Sequence, residues 1–502
     1  MRKRAQLAYN KGRLWHTFFF IKMSEKFAKN RSLIELFTSE IEFEAKRRNR
    51  SRYAILGQPE KIGKILIHGA PFVITIDDQN RLKVLANRSI YIVDGVIKSV
   101  FPTSRKAIPV NKIDLIYDAS KRGGIVVTPG FINGHAHPPM YLLRSSMTLD
   151  KGDIRDQVKK MAKLEAKMTD HDFFLGAVGD FAEEQKNGIT TTFSHYATFK
   201  PIDVAARVTR HNVINAVSAV SNSHPENTPA LVEKILKNRK QYYTTPAISI
   251  HYLHKATPVQ LAKIRELVKK YKTLFTLHAA ESEEWVQESV KKFGLRTMPA
   301  LIKFGLANSS TVLSHCVHFT DEEIKLVKKH HVGVIHLPTS NKLHKSGEFR
   351  YPEFVKFKAD TQICLGTDSV ISKNSLDLLS EALQTRIMHL DRHRVLYEDL
   401  FRMMTSQAAA VLKLGKVGKI LPGYRADLAF WKLKDRGFLP YDQNKPLSLV
   451  GNMITHGGHN IRDLMINGEF VVSNRVHNLV DESALLLELQ AAHMALRKRF
   501  GK

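Results

Sequence analysis

The sequence predicts an α/β protein: a (β/α)8 TIM-like barrel with a smaller β-sandwich domain built from both flanks of the barrel. Three observations predict it. Eight short apolar, strand-like runs alternate with helical patterns between about residues 125 and 410, as a ring of parallel strands with outer helices requires. Short β-branched runs broken by turn residues bracket that region on both sides. Histidines or carboxylates stand at most of the run ends, where a barrel carries its chemistry.

The elements follow in order. Residues 1–62 hold 15 Lys/Arg against 6 Asp/Glu and read as a basic N-terminal extension, with a helical pattern over Ser32–Arg48. Residues 63–124 contain the strand-like runs Lys64–Gly69, Phe72–Ile76, Ser89–Val93 and Val96–Val100, with the hairpin dipeptide Asp94-Gly95 between the last two. Together with residues 411–475, which carry Asp463–Ile466, Asn467-Gly468 and Phe470–Ser473, they are expected to form one composite sandwich. Residues 125–410 are the expected barrel. Residues 476–502 are expected to end in an amphipathic helix over Asp481–Phe500, with Leu485, Leu486, Leu489, Ala492 and Leu496 on its apolar side.

The barrel strands are expected at Ile125–Asn133, Ile189–His195, Val213–Val220, Ala247–Tyr252, Leu274–His278, Val312–His318, Gly333–Leu337 and Gln362–Gly366. The first runs into His135-Ala-His137. Residues i and i+2 of a strand share a face, so the two imidazoles can aim at one point, as two nitrogen ligands of a metal must. The other strands bring His195, His251, His278 with Glu281, His315, His336 and Asp368 to the same end of the barrel.

Composition narrows the class. A chain of 502 residues that is 43% hydrophobic can bury a large core. No apolar run approaches the roughly 18 residues of a membrane span, and a soluble, cytoplasmic protein is expected. Cys316 and Cys364 sit in apolar runs and read as reduced core thiols. The formal charge of +29 would attract anionic partners. The basic residues are scattered apart from Lys46–Arg50, and no nucleic-acid motif accompanies them, so a solvated basic surface is expected and a nucleic-acid partner is not.

Taken together, Pro129-Gly-Phe-Ile-Asn-Gly-His-Ala-His137, His278-Ala-Ala-Glu281, Ser314-His315-Cys316, Pro338-Thr-Ser-Asn341, Gly366-Thr-Asp-Ser369 and Leu421-Pro-Gly-Tyr-Arg-Ala-Asp427 resemble the amidohydrolase superfamily. The resemblance is to its branch of S-adenosylhomocysteine/methylthioadenosine deaminases, guanine deaminase and triazine chlorohydrolases, and it covers about residues 63–475. It implies a mononuclear site with His135, His137, His278 and Asp368 as ligands of one divalent metal, zinc first and iron second. It implies catalysis by Glu281, His315 and Asp368, and substrate contacts by His251 and Glu165. The expected activity is hydrolytic deamination of a small nitrogen heterocycle, with family members often forming homo-oligomers. Hydrolysis of a cyclic amide, an imine or a carbon–halide bond is the alternative, and a non-catalytic scaffold is the alternative of a different class. Three departures surround the expected substrate: no Trp in Lys151–Asp156, His195 where relatives usually carry Asp, and His251-Tyr-Leu-His254 in place of His-Ala-Pro-Tyr. Lys255, the nearest lysine to strand four, is not expected to bridge two metals.

Overall fold

The structure, a computed structural model, describes residues 63–103, 113–121, 123–144, 146, 154–221, 224–373, 375–442 and 444–501. The expected basic extension 1–62 and its helical pattern lie outside the described residues. β-branched runs open the described chain. Strand β1 (Lys64–Ile76) pairs antiparallel with β2 (Leu82–Val93), which pairs with β3 (Val96–Pro102). The two runs expected at Lys64–Gly69 and Phe72–Ile76 are one strand, bulged between Ile67 and Ala70, where Gly69 takes φ +67°. Asp94 and Gly95 both have positive φ, 49° and 76°, as a two-residue primed turn requires. Strand β4 (Leu115–Asp118) runs parallel to the first half of β1, and β5 (Ile125–Pro129) to the second.

The run Ile125–Asn133, expected as a single barrel strand, is two strands in two sheets. β5 stays in the first sheet, and β6 (Phe131–Ala136) begins the barrel. Pro129 has no N–H with which to extend a ladder. Gly130 packs so tightly on Thr190 that a Cβ would stand 2.3 Å from it.

The barrel continues with β7 (Ile189–Tyr196), β8 (Asn212–Ser218), β9 (Thr245–Tyr252), β10 (Phe275–Ala279), β11 (Thr311–His315), β12 (Gly333–His336) and β13 (Ile363–Leu365), each parallel to its neighbours. Its interior is filled by residues such as Ile132, Phe193, Ile214, Val312 and Ile335, and Ala408, Ala409 and Leu412 share that core. Both cysteines are buried and free; burial pushes the Cys364 thiol up to about 12. The ring closes between β13 and β6 through one bridge, Ala136 with Asp368, where the Asp368 N–H donates to the His135 carbonyl at 3.0 Å.

The chain then returns to the first sheet. Strand β14 (Leu428–Lys432) lies antiparallel to β5, followed by β15 (Ile461–Ile466), β16 (Glu469–Ser473) and β17 (Val476–His477). Asn467 and Gly468 turn with φ of 52° and 79°. The sheet order is β17-β16-β15-β14-β5-β1-β2-β3. The Asp94-Gly95 and Asn467-Gly468 turns touch: a Cβ on Gly95 would lie 2.4 Å from the Asn467 carbonyl oxygen. The sheet thus folds over one core that includes Ile65, Ile92, Ile97, Val127, Phe430 and Phe470. The terminal helix Glu482–Arg499, capped by Asp481, buries Leu485, Leu489 and Leu496. Leu486, expected on that face, is 59% exposed, because it stands one residue round the helix from the Leu485–Leu489 stripe. Among the described residues no helix is long and apolar enough to cross a membrane.

Trp431 joins the sheet to the barrel. It is fully buried, donates from Nε1 to Thr128 Oγ1 at 2.9 Å, and stands 5.7 Å from the Phe131 ring. Trp431→Ala is expected to cost about 3–5 kcal/mol as an uncollapsed cavity, read as a lowered urea midpoint. An unchanged midpoint would contradict this role.

Candidate functional site

Strands β6 and β10 aim three imidazoles at one point. His135 Nε2 lies 3.1 Å from His137 Nε2 and 3.2 Å from His278 Nε2, and the last two are 3.4 Å apart. Asp368 Oδ1, just beyond β13, is 3.3 Å from His137 Nε2 and 3.8 Å from His135 Nε2. All four residues are buried. His137 Nδ1 bonds the His195 carbonyl at 2.6 Å, and His278 Nδ1 bonds the His251 carbonyl at 3.0 Å. A carbonyl only accepts, so each Nδ1 carries the hydrogen, and in its neutral form each ring turns a bare Nε2 lone pair inward. Bare lone pairs this close repel unless a cation or a proton lies between them. The separations suit a tetrahedral zinc set, whose nitrogens stand roughly 3.3 Å apart. The residues therefore fit a divalent metal.

The electrostatics agree. Burial drives His135 and His278 well below the usual histidine range. Burial opposes a proton on His137 as well, but the hydrogen bond and charge of Asp368 outweigh it and hold this ring above its ordinary value. Burial alone would raise Asp368; its hydrogen bond to His137 and the neighbouring imidazoles instead bring it well below the carboxylate range. Ser340 Oγ and the Ser369 N–H donate to its two oxygens at 2.5 and 2.7 Å. Asp368 and His315 both hold positive φ, 61° and 70°, a conformation that non-glycine residues adopt at a cost.

Glu281 and His315 stand beside this set. Glu281 Oε2 accepts from the Tyr252 hydroxyl at 2.7 Å, which leaves Oε1 3.7 Å from His315 Nε2. His315 Nδ1 donates to Asn341 Oδ1 at 2.8 Å, which leaves its Nε2 facing Glu281. A cavity of about 610 Å³ opens over His137, His278, Glu281, His315 and Asp368, large enough for a drug-sized molecule.

The sequence-singled residues divide around that cavity. His251, His195 and Glu165 line it. Burial lowers His251 to about 3 and raises Glu165, which accepts a hydrogen bond from the Tyr196 hydroxyl. His254 and His336 do not line it: His254 packs against Tyr252 and Trp285, which stack on each other, and His336 on Phe349 at 4.3 Å. Tyr252, Tyr196 and His344 also line the cavity without having been singled out. Tyr252 follows His251 at the end of a strand, which was the available signal. The side chains of Lys151–Asp156, the segment without the expected Trp, lie outside the described residues.

Residues 126–471 match the amidohydrolase family. The chain belongs to the amidohydrolase family. It is 29% identical over 410 residues to a 5-methylthioadenosine/S-adenosylhomocysteine deaminase of Syntrophomonas wolfei, covering 78% of this chain and 91% of that protein. Its fold resembles an adenosine deaminase from Xanthomonas campestris with bound zinc, at TM-score 0.78 and 22% identity over 86% of this chain and 98% of that one. It also resembles the zinc complex of an atrazine chlorohydrolase from Arthrobacter aurescens, at TM-score 0.75 and 20% identity over 86% and 100% of the two chains. These amidohydrolase likenesses agree with the barrel and the folded sheet.

Several histidines are buried in neutral form: His251 and His477 are lowered to about 3, His254 and His389 to about 4, with burial the largest cause. The unfolded chain binds these protons near 6.5 and the folded chain does not. Stability against urea should therefore be full above about pH 6.5 and fall as the pH drops toward 4. A midpoint independent of pH across that window would contradict it.

Proposed function

We propose that the chain is a metal-dependent amidohydrolase that replaces an amino group on a nitrogen heterocycle by hydroxyl, consuming one water and releasing one ammonia. The observation that carries this is the placement of Glu281 and His315, 3.7 Å apart, at the rim of the three-histidine and aspartate set and in one cavity with it. In this reading His135, His137, His278 and Asp368 hold a single divalent ion, zinc before iron. Such an ion lowers the pKa of its water toward about 7.

The chain's own groups do the rest. Asp368 Oδ1 faces the set while Ser340 and Ser369 hold the carboxylate still, so it can accept the proton of the attacking water. His315 Nε2 hydrogen-bonds the attacking oxygen and stabilises charge as it adds to the ring carbon. Glu281 Oε1 protonates the adjacent ring nitrogen and carries a proton to the amine, which leaves as ammonia because an amide ion is a very poor leaving group. The Tyr252 hydroxyl fixes the other oxygen of Glu281. His251 and Glu165 contact the substrate from the cavity wall. The altered positions His195 and His251–His254 leave the heterocycle open and argue against assuming an adenosine. The reading places a soluble enzyme in the cytoplasm, acting on a small molecule and assembling as a homo-oligomer. Its composite sheet domain takes in 63–124 and 411–475 together with β5 and β17, its barrel runs from Phe131 to about 410, and the helix Glu482–Arg499 follows.

His135→Ala and Asp368→Ala are expected to lose most of the bound metal and keep their circular dichroism, and elemental analysis of the purified variants checks this. Glu281→Gln is expected to keep its metal and lose roughly 10²–10⁴ in turnover; near-native turnover at full metal content would remove Glu281 from the chemistry. The reaction is tested by ammonia release from a panel of purines, pterins, pyrimidines and triazines, with the product heavier by about one mass unit as NH₂ becomes OH. If the metal-loaded enzyme releases no ammonia but opens a cyclic amide or frees halide, the alternative hydrolysis replaces deamination.

A further inference from the structure

Beneath the site lies a buried polar network that none of the steps above uses. Asn133 sits two residues before His135 on β6, and Glu184 lies on the helix Asp170–Lys186 packed outside the barrel. Both are fully buried. Glu184 Oε1 accepts from Asn133 Nδ2 at 2.5 Å. Its Oε2 accepts from the Thr192 hydroxyl and lies 3.1 Å from His211 Nε2. Asn133 Nδ2 also donates to Thr367 Oγ1 at 2.7 Å. Asn133 Oδ1 accepts two backbone N–H groups, from His135 at 3.3 Å and from Thr367 at 3.0 Å. All four hydrogen-bonding positions of the amide are thus used.

The logic is directional. Both Glu184 oxygens are taken as acceptors, Oε1 by Asn133 Nδ2 and Oε2 by the Thr192 hydroxyl, so the Asn133 NH₂ group turns outward. That leaves Oδ1 facing the two N–H groups, one on His135 and one on the residue preceding Asp368. These residues belong to β6 and the end of β13, which share a single ladder bridge. We infer that Asn133, oriented by Glu184, is a positioning residue that holds the His135 and Asp368 segments at the spacing a metal ion requires. The inference rests on the proposed ligand roles of His135 and Asp368.

The test exchanges the two groups. Asn133→Asp sets a second carboxylate against Glu184, and Glu184→Gln turns one of the two acceptor oxygens into a donor. The double variant N133D/E184Q restores one amide and one acid with their places reversed. The amide introduced on the helix can then donate to the carboxylate introduced on β6, whose other oxygen still accepts both N–H groups. Release of zinc from the loaded, folded proteins to a chelator is the readout, with circular dichroism confirming the fold. Each single variant should release zinc about 10–100-fold faster than native protein, the usual cost of losing a partner behind a metal ligand. The swapped pair should return to near the native rate. Native release in the single variants, or a swap no better than its worse parent, would overturn the inference. Gln185→Leu removes a neighbouring buried amide, bonded to the Thr209 carbonyl at 2.8 Å and turned away from the site; it should lower stability and leave zinc release native. A native protein that takes up no zinc would fail the metal reading, whereas tight zinc with native release in every variant fails this inference alone.

Discussion

The closing of the barrel and the assembly of the site are one interaction. Seven of the eight strand junctions are parallel ladders, two of them with register irregularities, while the ladder between β13 and β6 is reduced to one bridge, where Asp368 donates to the carbonyl of His135. One such hydrogen bond contributes about 0.5–1.5 kcal/mol, too little to hold a ring by itself. Close packing does the rest. A Cβ on Gly366 would stand 2.8 Å from the His135 nitrogen, and one on Gly134 2.8 Å from Cys364 Sγ and 2.9 Å from the Leu365 carbonyl oxygen. Both positions need glycine so that strand eight can reach strand one. The residues that complete the ring are also the first and last of the proposed metal ligands.

Much of the remaining geometry serves the same junction. His315 and Asp368 carry left-handed backbone at their strand ends, each at a cost of order 1–3 kcal/mol. In return one side chain turns over the cavity and the other back toward the histidines. The carbonyls of His195 and His251 hold the rings of His137 and His278, so the neighbouring strands fix the tautomers on which the proposed ligand set depends. The folded sheet stands apart from this chemistry. Its contribution is to seat Gly130 and Trp431 at the start of β6, which fixes where the first two histidines emerge.

The sequence was most legible where local chemistry and fold coincide. His135 and His137 share a face because strands alternate. The Asp94-Gly95 and Asn467-Gly468 turns declare themselves because few residues tolerate positive φ at both places. The run Ile125–Asn133 misled because a β-branched segment is buried equally well in either sheet; only the missing N–H of Pro129 and the crowding at Gly130 mark the change. His254 and His336 carry no local sign that they point into aromatic packing rather than the cavity. That choice is made by Trp285 and Phe349, far off in sequence or in another element. Glu184 was illegible for the same reason, since it gains its meaning from partners on other elements.

The central claim is that three imidazoles and one carboxylate form a single metal centre at the mouth of the barrel. Anomalous X-ray diffraction from crystals of the zinc-loaded protein, collected on both sides of the zinc absorption edge, tests it most directly. The account predicts one anomalous peak within bonding distance of His135 Nε2, His137 Nε2, His278 Nε2 and Asp368 Oδ1. A peak bound by other residues, or no peak among these four in zinc-loaded crystals, would contradict it.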